Sequence, residues 1–304
     1  MSEECIANAK TRSLSVVRLA VITRLAFITR LAFITTCFFL FCLLCATHAV
    51  AETGLAFNEN DERWNIIRQQ LFEDRTIEET GNAISLNAPG RAFDAARVPV
   101  TLRALSDQTP DNYIRKLYLI VDKNPVPVAG TFTFEPNNGW QTIDTELRVN
   151  EYSYMRVVAE MNTGELHMAT HFIKAIGGCS APPSSYDRSD QSRFGVFEAS
   201  ITNLLDPKVP ALARIRIIHP NASGMQFDQM SRTYIPAHYI HTMAAEFNDQ
   251  PIFKLDTNFS LSQDPVLGFN FEPSEKGTLK IYAIDSKKER FQKTWDVSNA
   301  VVKN

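Results

Sequence analysis

The chain has 304 residues, of which 44% are hydrophobic and 21% charged, which is enough for two globular domains of common size. Its formal net charge is −3; residues 1–51 hold five of the 31 basic and two of the 34 acidic residues, so 26 basic and 32 acidic residues remain without them and the net charge becomes −6. A mildly acidic chain lacks the basic surface that binds phosphate backbones, which argues against nucleic acid as a partner.

The first 51 residues have the pattern of a secretory signal. Residues 18–35 repeat one hexad three times, which places an arginine at the start of each copy, and an uncharged apolar run follows from Leu31 to Cys45. The small residues of Ala49-Val50-Ala51 then provide a cleavage site. A permanent membrane anchor needs about 20 consecutive apolar residues, more than this run offers, so we predict a signal peptide at 1–51 that is cut after Ala51.

One helical segment follows the predicted signal. Between Glu62 and Glu79, the apolar residues Trp64, Ile67 and Leu71 recur at helical spacing among acids and arginines. Glycine at position 81 ends the segment. We predict a short helix that packs across one end of a β-sandwich.

From residue 96 the pattern changes to short β-rich runs separated by turn signals. The strands leave no room for crossover helices, so the predicted first domain, 52–179, is an antiparallel sandwich of immunoglobulin-like size. Its predicted strands are Val98–Ala104, Ile114–Val121, Gly130–Phe134, Thr142–Val149, Tyr152–Met161 and Leu166–Ile176.

Residues 180–194 are rich in Ser, Pro and Asp and are predicted to be a flexible linker. A second sandwich is predicted after it, at 195–304. Its strands are Gly195–Ile201, Ala213–His219, Tyr239–Phe247, Pro251–Leu255, Gly268–Phe271, Gly277–Asp285 and Arg290–Val297. The predicted fold class is therefore all-β, with two immunoglobulin-like sandwiches in tandem behind a short helix.

Of the five cysteines, only Cys179 lies beyond the predicted signal. Gly177 and Gly178 precede it and a Ser-Ala-Pro-Pro run follows, so the chain here is predicted to form an exposed, flexible arm rather than continue a strand. A lone cysteine in an oxidising compartment is either reactive or free to join two chains, here as a disulfide-linked dimer through Cys179. The alternative is a small buried residue that only packs.

Five short motifs occur in a fixed order between Val98 and Ile240. They are Val98-Pro99-Val100, Val121 to Pro127 (VDKNPVP), Ile176-Gly177-Gly178-Cys179, His219-Pro220 with Gly224, and Ile235 to Ile240 (IPAHYI). The first three motifs resemble the SoxY family and the last two the SoxZ family. The fused arrangement is similar to the SoxYZ-like carrier proteins that are associated with quinoprotein dehydrogenases.

This resemblance implies a periplasmic carrier and not an enzyme. SoxY holds sulfur intermediates on the cysteine of a terminal Gly-Gly-Cys-Gly-Gly arm, and that cysteine corresponds to Cys179, with Gly177 and Gly178 supplying reach. Ser180 and Ala181 stand where the family has two further glycines, and the arm is tethered at both ends. The implied partners are sulfur-oxidation-type enzymes or a quinoprotein (PQQ) dehydrogenase with its cytochrome, and no cofactor of the carrier itself is implied.

Two alternatives remain beside the carrier interpretation. The first is a non-covalent β-sandwich scaffold that assists a quinoprotein dehydrogenase. The second is a histidine-based site: His219, His238 and His241 are enough to bind a metal, but positions three apart on a strand face opposite ways, so we predict no metal site. His167 and His171 share one strand face and are candidates to line the base of Cys179.

Overall fold

The computed structural model describes residues 62–79, 82–136, 140–182, 191–202, 210–271, 277–297 and 302–303. The predicted signal peptide lies outside these residues, as do residues 183–190 of the predicted linker. No helix in the described part of the chain is long and apolar enough to cross a membrane.

The chain forms one α-helix, α1 (Glu62–Phe72), one 3-10 turn (Gln191–Arg193) and eighteen strands within the described ranges. The strands of the first half are β1 (Ile77–Glu78), β2 (Ile84–Asn87), β3 (Val98–Ala104), β4 (Ile114–Val121), β5 (Val128–Thr133), β6 (Thr142–Leu147), β7 (Ser153–Met161) and β8 (Leu166–Ile173). The strands of the second half are β9 (Phe197–Thr202), β10 (Ala211–Ile217), β11 (Phe227–Asp228), β12 (Thr233–Tyr234), β13 (Ile240–Phe247), β14 (Gln250–Thr257), β15 (Val266–Phe271), β16 (Thr278–Asp285), β17 (Arg290–Asp296) and β18 (Val302–Lys303).

Two large sheets build the fold, and each sheet runs through both halves. One has the order β1-β8-β7-β4-β5-β14-β13-β16-β17, and the other β18-β9-β10-β15-β6-β3-β2. All pairings are antiparallel except that of β1 with β8. The predicted all-β class with two immunoglobulin-like sandwiches is confirmed.

The two sandwiches join edge to edge. In one sheet β5 pairs with β14 over four positions, Gly130 to Thr133 facing Lys254 to Thr257. In the other sheet β6 pairs with β15 over three positions. The amides and carbonyls of these edge strands thereby find hydrogen-bond partners in the other half. The two halves form one body and are not connected by the linker alone.

The space between the two sheets is filled by one continuous apolar core. Because side chains alternate between strand faces, every second residue of these strands points inward. At the joint, the Phe132 ring of β5 lies 5.7 Å from the Phe253 ring of β14, and Phe253 lies 5.0 Å from Phe269. The first of these contacts crosses from one half to the other and the second continues into the core of the second half, so the joint is packed as a protein interior.

The helix is shorter than predicted and packs on a different part of the sandwich. It ends at Phe72 because Glu73 takes a left-handed conformation (φ 54°), and Ile77–Glu78 then pair with β8 instead of extending the helix to Glu79. Trp64 and Ile67 pack on the outward face of β4, β7 and β8 rather than across an end of the sandwich. This outward face is apolar, which a single amphipathic helix can cover.

Candidate functional site

The chain leaves β8 as a short arm that ends at Cys179. Ile176 at its start is 70% exposed, and Gly177 turns the backbone with φ +78°, a conformation that residues with a side chain rarely adopt. At Gly178 the arm touches the first half so closely that an added Cβ would lie 2.0 Å from the carbonyl oxygen of Ala95 and 2.6 Å from that of Val149. The geometry of the arm therefore requires both glycines. That they also make the arm flexible remains a prediction.

Backbone hydrogen bonds tie the arm to the first half. The Gly177 amide donates to the Asn150 carbonyl at 2.8 Å, and the Gly178 amide donates to the Val149 carbonyl at 3.0 Å. Asn124 supports this platform, because its side-chain amide donates to the Arg148 carbonyl at 2.8 Å and its side-chain oxygen accepts from the Asn150 amide at 2.9 Å.

The second half closes over the other side of the arm. The Ser223 hydroxyl donates to the Cys179 carbonyl at 2.5 Å, and the Gln226 side-chain amide donates to the Ala181 carbonyl at 3.0 Å. Both donors lie on the loop after β10, which begins at Ile218 and contains His219. The cysteine thus lies at the junction of the two halves.

The predicted exposure of the thiol is wrong: Cys179 is 0% exposed. Burial raises the pKa of the thiol to about 11, although the nearby Arg148 works in the opposite direction. A thiol exposed to water has an ordinary pKa near 8.5. With its arm docked, Cys179 is instead a protonated and shielded thiol, and it is not a nucleophile at neutral pH.

Arg148 is the charged group at the base of the arm, and the sequence did not single it out. Its side chain is 1% exposed, and its Nη1 donates to the Gly178 carbonyl at 3.2 Å. Burial lowers the pKa of this guanidinium. The one local signal was an arginine between two apolar residues, Leu147 and Val149, directly after β6.

A second cluster joins His219, His238 and Asp285 under the loop after β10. The His238 Nε2 lies 2.6 Å from the Asp285 Oδ2, and the His219 Nε2 lies 3.6 Å from the same oxygen. Burial opposes ionisation of Asp285, but the hydrogen bond from His238 and the backbone amides of Glu289 and Lys287 outweigh it and hold the pKa of the carboxyl below its usual value.

Three such groups within 4.8 Å of one another have the composition of a metal site, but a hydrogen bond argues against it. The Asn221 amide donates to the His219 Nδ1 at 3.0 Å, so Nδ1 carries no proton and the neutral ring holds its proton on Nε2. A metal ion on Nε2 needs the neutral tautomer with its proton on Nδ1. That N–H would then point at the N–H of Asn221. The cluster fits a pair of imidazoles around one buried carboxylate.

His219 is expected to make the protein sensitive to acid. Burial first, and then the neighbouring His238, lower its pKa to about 4 in the folded state, against 6.5 in the unfolded chain. Between these values the unfolded state binds more protons, so stability is complete above about pH 6.5 and is lost as the pH falls to 4, by about 3 kcal/mol. His219→Asn keeps an acceptor for the Asn221 amide and should flatten this part of the curve of unfolding free energy against pH. His241→Asn is the control, and an equal slope in the wild type and His219→Asn would contradict the expectation.

The other histidines in the described part of the chain, His241, His167 and His171, do not join either cluster. His241 lies on β13 and its Nδ1 contacts the Thr242 hydroxyl at 2.9 Å, so the predicted group of three histidines forms only in part. His167 lies 3.3 Å from Glu78, and neither it nor His171 has a hydrogen bond or ion pair with the arm among the described residues. The alternative that these two line the base of Cys179 has no support from these contacts.

Asp285 completes the histidine cluster, and sequence reasoning missed it. It lies 47 residues after His238, at the end of β16. The register explains the meeting, because Asp285 pairs with Ile240 at the start of β13. A predicted antiparallel pairing of these two strands was the signal that could have found it.

The comparisons with known proteins agree with this architecture. Residues 68–179 match the family model of sulfur oxidation protein SoxY, and residues 207–296 match that of sulphur oxidation protein SoxZ. No curated protein matches the chain.

The solved structures that resemble parts of the chain include three of different kinds. The sulfur carrier protein SoxY from Chlorobium limicola f thiosulfatophilum is 21% identical, with 38% of this chain and 92% of that chain covered and a TM-score of 0.32. A superoxide reductase (neelaredoxin) from Ignicoccus hospitalis is 16% identical over 32% and 93%, with a TM-score of 0.29. Fibronectin(III)-like modules of CbhA from Clostridium thermocellum are 8% identical over 69% and 90%, with a TM-score of 0.21. These scores are too low to carry an argument about function.

The fold and the site together define a class of protein, a tandem β-sandwich with a cysteine arm. Its two immunoglobulin-like sandwiches share their sheets and hold one thiol on the arm between them. Within it, the SoxY match ends at Cys179 and the SoxZ match contains Ser223 and Gln226, the residues that contact the arm. The chain is a SoxYZ-like protein, with a SoxY domain followed by a SoxZ domain. This membership supports a role as a carrier in sulfur oxidation.

Proposed function

We propose that the protein carries sulfur intermediates covalently on the thiol of Cys179 and presents them to partner enzymes, without being a catalyst itself. The observation that carries this proposal is the position of Cys179: it is the sole cysteine after residue 51, and it lies at the end of the SoxY match on an arm held between the two domains. A buried cysteine that only packed would not need an arm of two glycines with special geometry.

A carrier must expose its thiol, so the arm has to leave the docked position. Its hydrogen bonds to Asn150, Val149 and Ser223 all use backbone atoms of the arm, which water can satisfy after release. Release also returns the thiol to an ordinary pKa, because burial is what raises it. The docked arm is then a closed state of the carrier, and the released arm is the state that is loaded.

Loading follows from thiol–disulfide chemistry. The Cys179 thiolate attacks a sulfur of a disulfide or persulfide held by a partner; a new S–S bond forms on Cys179, the S–S bond in the partner breaks, and its electron pair leaves with the partner's other sulfur as a thiolate. The exchange involves no net oxidation, and the proton lost by the Cys179 thiol is available to the leaving thiolate. Unloading is the same exchange with a second partner.

The surface beside the arm is suited to a partner protein. Phe93 is fully exposed and Ile176 is 70% exposed. Each follows by two residues a member of the parallel bridge between Arg91 and Lys174, so the two segments run side by side just before them. Exposed large apolar side chains beside a functional group are common at protein interaction sites.

The finer parts of the proposal concern location and partners. The signal predicted at 1–51 would place the carrier in the periplasm, and the resemblance to fused SoxYZ-like proteins supports a quinoprotein dehydrogenase with its cytochrome, or a sulfur-oxidation-type enzyme, as the partner. A disulfide-linked dimer through Cys179 would require two released arms, since the docked thiol is fully buried.

The test is the intact mass of the protein purified from its native compartment, with and without reductant. A carrier shows added mass on the Cys179 peptide, in steps of sulfur or sulfonate, that reductant removes. Cys179→Ser, nearly the same size, should keep the unfolding midpoint and abolish pathway activity. The non-covalent scaffold is favoured instead if the thiol is bare while the pathway is active and Cys179→Ser retains activity.

A further inference from the structure

We propose that Arg148 is the counter-charge of an ionised sulfur group on Cys179, so that the docked arm favours an anionic cargo over a neutral one. The choice of cargo rests on the carrier function proposed above. The anion preference itself follows from the surroundings of Arg148.

Arg148 is a buried cation without a carboxylate partner. Among the described residues its side chain has no ion pair, the single hydrogen bond of that side chain goes to the Gly178 carbonyl, and its Nε has no partner. A buried, unpaired charge is strongly unfavourable in a protein unless something neutralises it. The position therefore lacks a negative group in the state with a bare thiol.

Of the ionisable groups that act on Arg148, Cys179 is the one placed to carry the missing negative charge. Asp94 and Cys179 attract the guanidinium and Arg97 repels it. Asp94 is exposed and its carboxylate accepts from the Ala96 amide, and Arg97 pairs with Glu146 at 3.2 Å. Cys179 is the ionisable group that is itself buried beside Arg148, one residue after the carbonyl that Arg148 binds.

The sulfur chemistry supplies the charge. A bare Cys179 thiol is protonated when docked and leaves Arg148 unpaired, whereas a persulfide is a small anion at neutral pH that adds one atom beyond Sγ. A persulfide on the docked arm would accept from the free Nε of Arg148. Docking would then store a charged, reactive intermediate away from solvent, and a neutral adduct would be held less firmly.

The experiment replaces the cargo by a side chain of fixed charge. Cys179→Asp and Cys179→Asn differ in charge but hardly in size, and each is made with Arg148 and with Arg148→Gln. The readout is hydrogen exchange of the Gly177 and Gly178 amides, which report arm docking through their bonds to Asn150 and Val149. With Arg148 present, we expect at least 10-fold slower exchange in Cys179→Asp than in Cys179→Asn; with Arg148→Gln the difference should vanish or reverse.

Equal exchange in the two variants with Arg148 present would overturn the proposal. If Arg148→Gln does not fold, the pH dependence of Cys179→Asp replaces it: protection of the arm should fall to the level of Cys179→Asn as the carboxylate is protonated, and a pH-independent difference would overturn the proposal. No cargo is involved, so a failure here leaves the carrier function intact, and a bare thiol in the native protein would remove the carrier function without affecting this result.

Discussion

Replacing Gly178 by alanine is expected to raise the rate at which Cys179 reacts with a small aromatic disulfide by about two orders of magnitude at pH 7.5. The added Cβ would lie 2.0 Å from the Ala95 carbonyl oxygen and 2.6 Å from that of Val149. Both obstacles are backbone atoms, which cannot rotate away as a side chain does. The arm therefore has to leave its docked position. It can do so without breaking a strand, because it lies beyond the last paired residue of β8.

The size of the effect follows from the ionisation of the thiol. With the pKa at about 11 in the docked arm, only a few thiols in ten thousand are ionised at pH 7.5, against about one in ten at an ordinary pKa near 8.5. Gly177→Ala should have a smaller effect, since its cost is a left-handed conformation of about 1–2 kcal/mol rather than a clash with backbone.

Gly90→Ala is the matched control, because a Cβ added there meets no atom within 4 Å. It should react at the wild-type rate, and the unfolding midpoint of Gly178→Ala should stay close to that of the wild type. Reaction of Gly178→Ala at the rate of Gly90→Ala would show that the thiol is already released in solution or that the arm tolerates the side chain.

Much of the fold could be predicted because its signals are local. The predicted bounds of Val98–Ala104 and Ile114–Val121 are those that the structure has, because each is a β-rich run between clear turn signals. The joining of the two sandwiches was not predictable in this way. It depends on Lys254 facing Thr133, residues 121 positions apart, and nothing in either segment identifies its partner.

The site shows the same division. Sequence reasoning identified Cys179 and its two glycines, but it took the glycines as signs of flexibility. At Gly178 the absence of a side chain has a second effect that sequence reasoning missed, because it lets the arm lie against the Val149 backbone and bury the thiol. Arg148, 31 residues earlier, could not be connected with Cys179 without the packing that brings them together.

The second prediction with a large expected effect concerns the buried ion pair under helix α1. The Arg156 Nε lies 3.1 and 2.9 Å from the two carboxylate oxygens of Asp122, and the pair is almost completely buried. The Arg156 guanidinium also lies 4.4 Å above the Trp64 ring, so the pair holds the helix on the sheet. Asp122→Asn should lower the free energy of unfolding by about 3–5 kcal/mol, because it leaves Arg156 charged and buried without its counter-charge.

Unfolding in urea measures this loss, and two variants separate its causes. Asp111→Asn changes an exposed aspartate and should alter stability by less than about 0.5 kcal/mol. Adding Arg156→Met to Asp122→Asn removes the stranded charge and should restore part of the loss, because the penalty lies in the unpaired cation more than in the missing attraction. Should Asp122→Asn alone prove as stable as Asp111→Asn, the pair does not hold the helix.

The Asp122 turn also carries Asn124, whose side chain bonds the backbone segment on which the cysteine arm lies. A destabilised Asp122→Asn protein should therefore show faster exchange of the Gly178 amide as well.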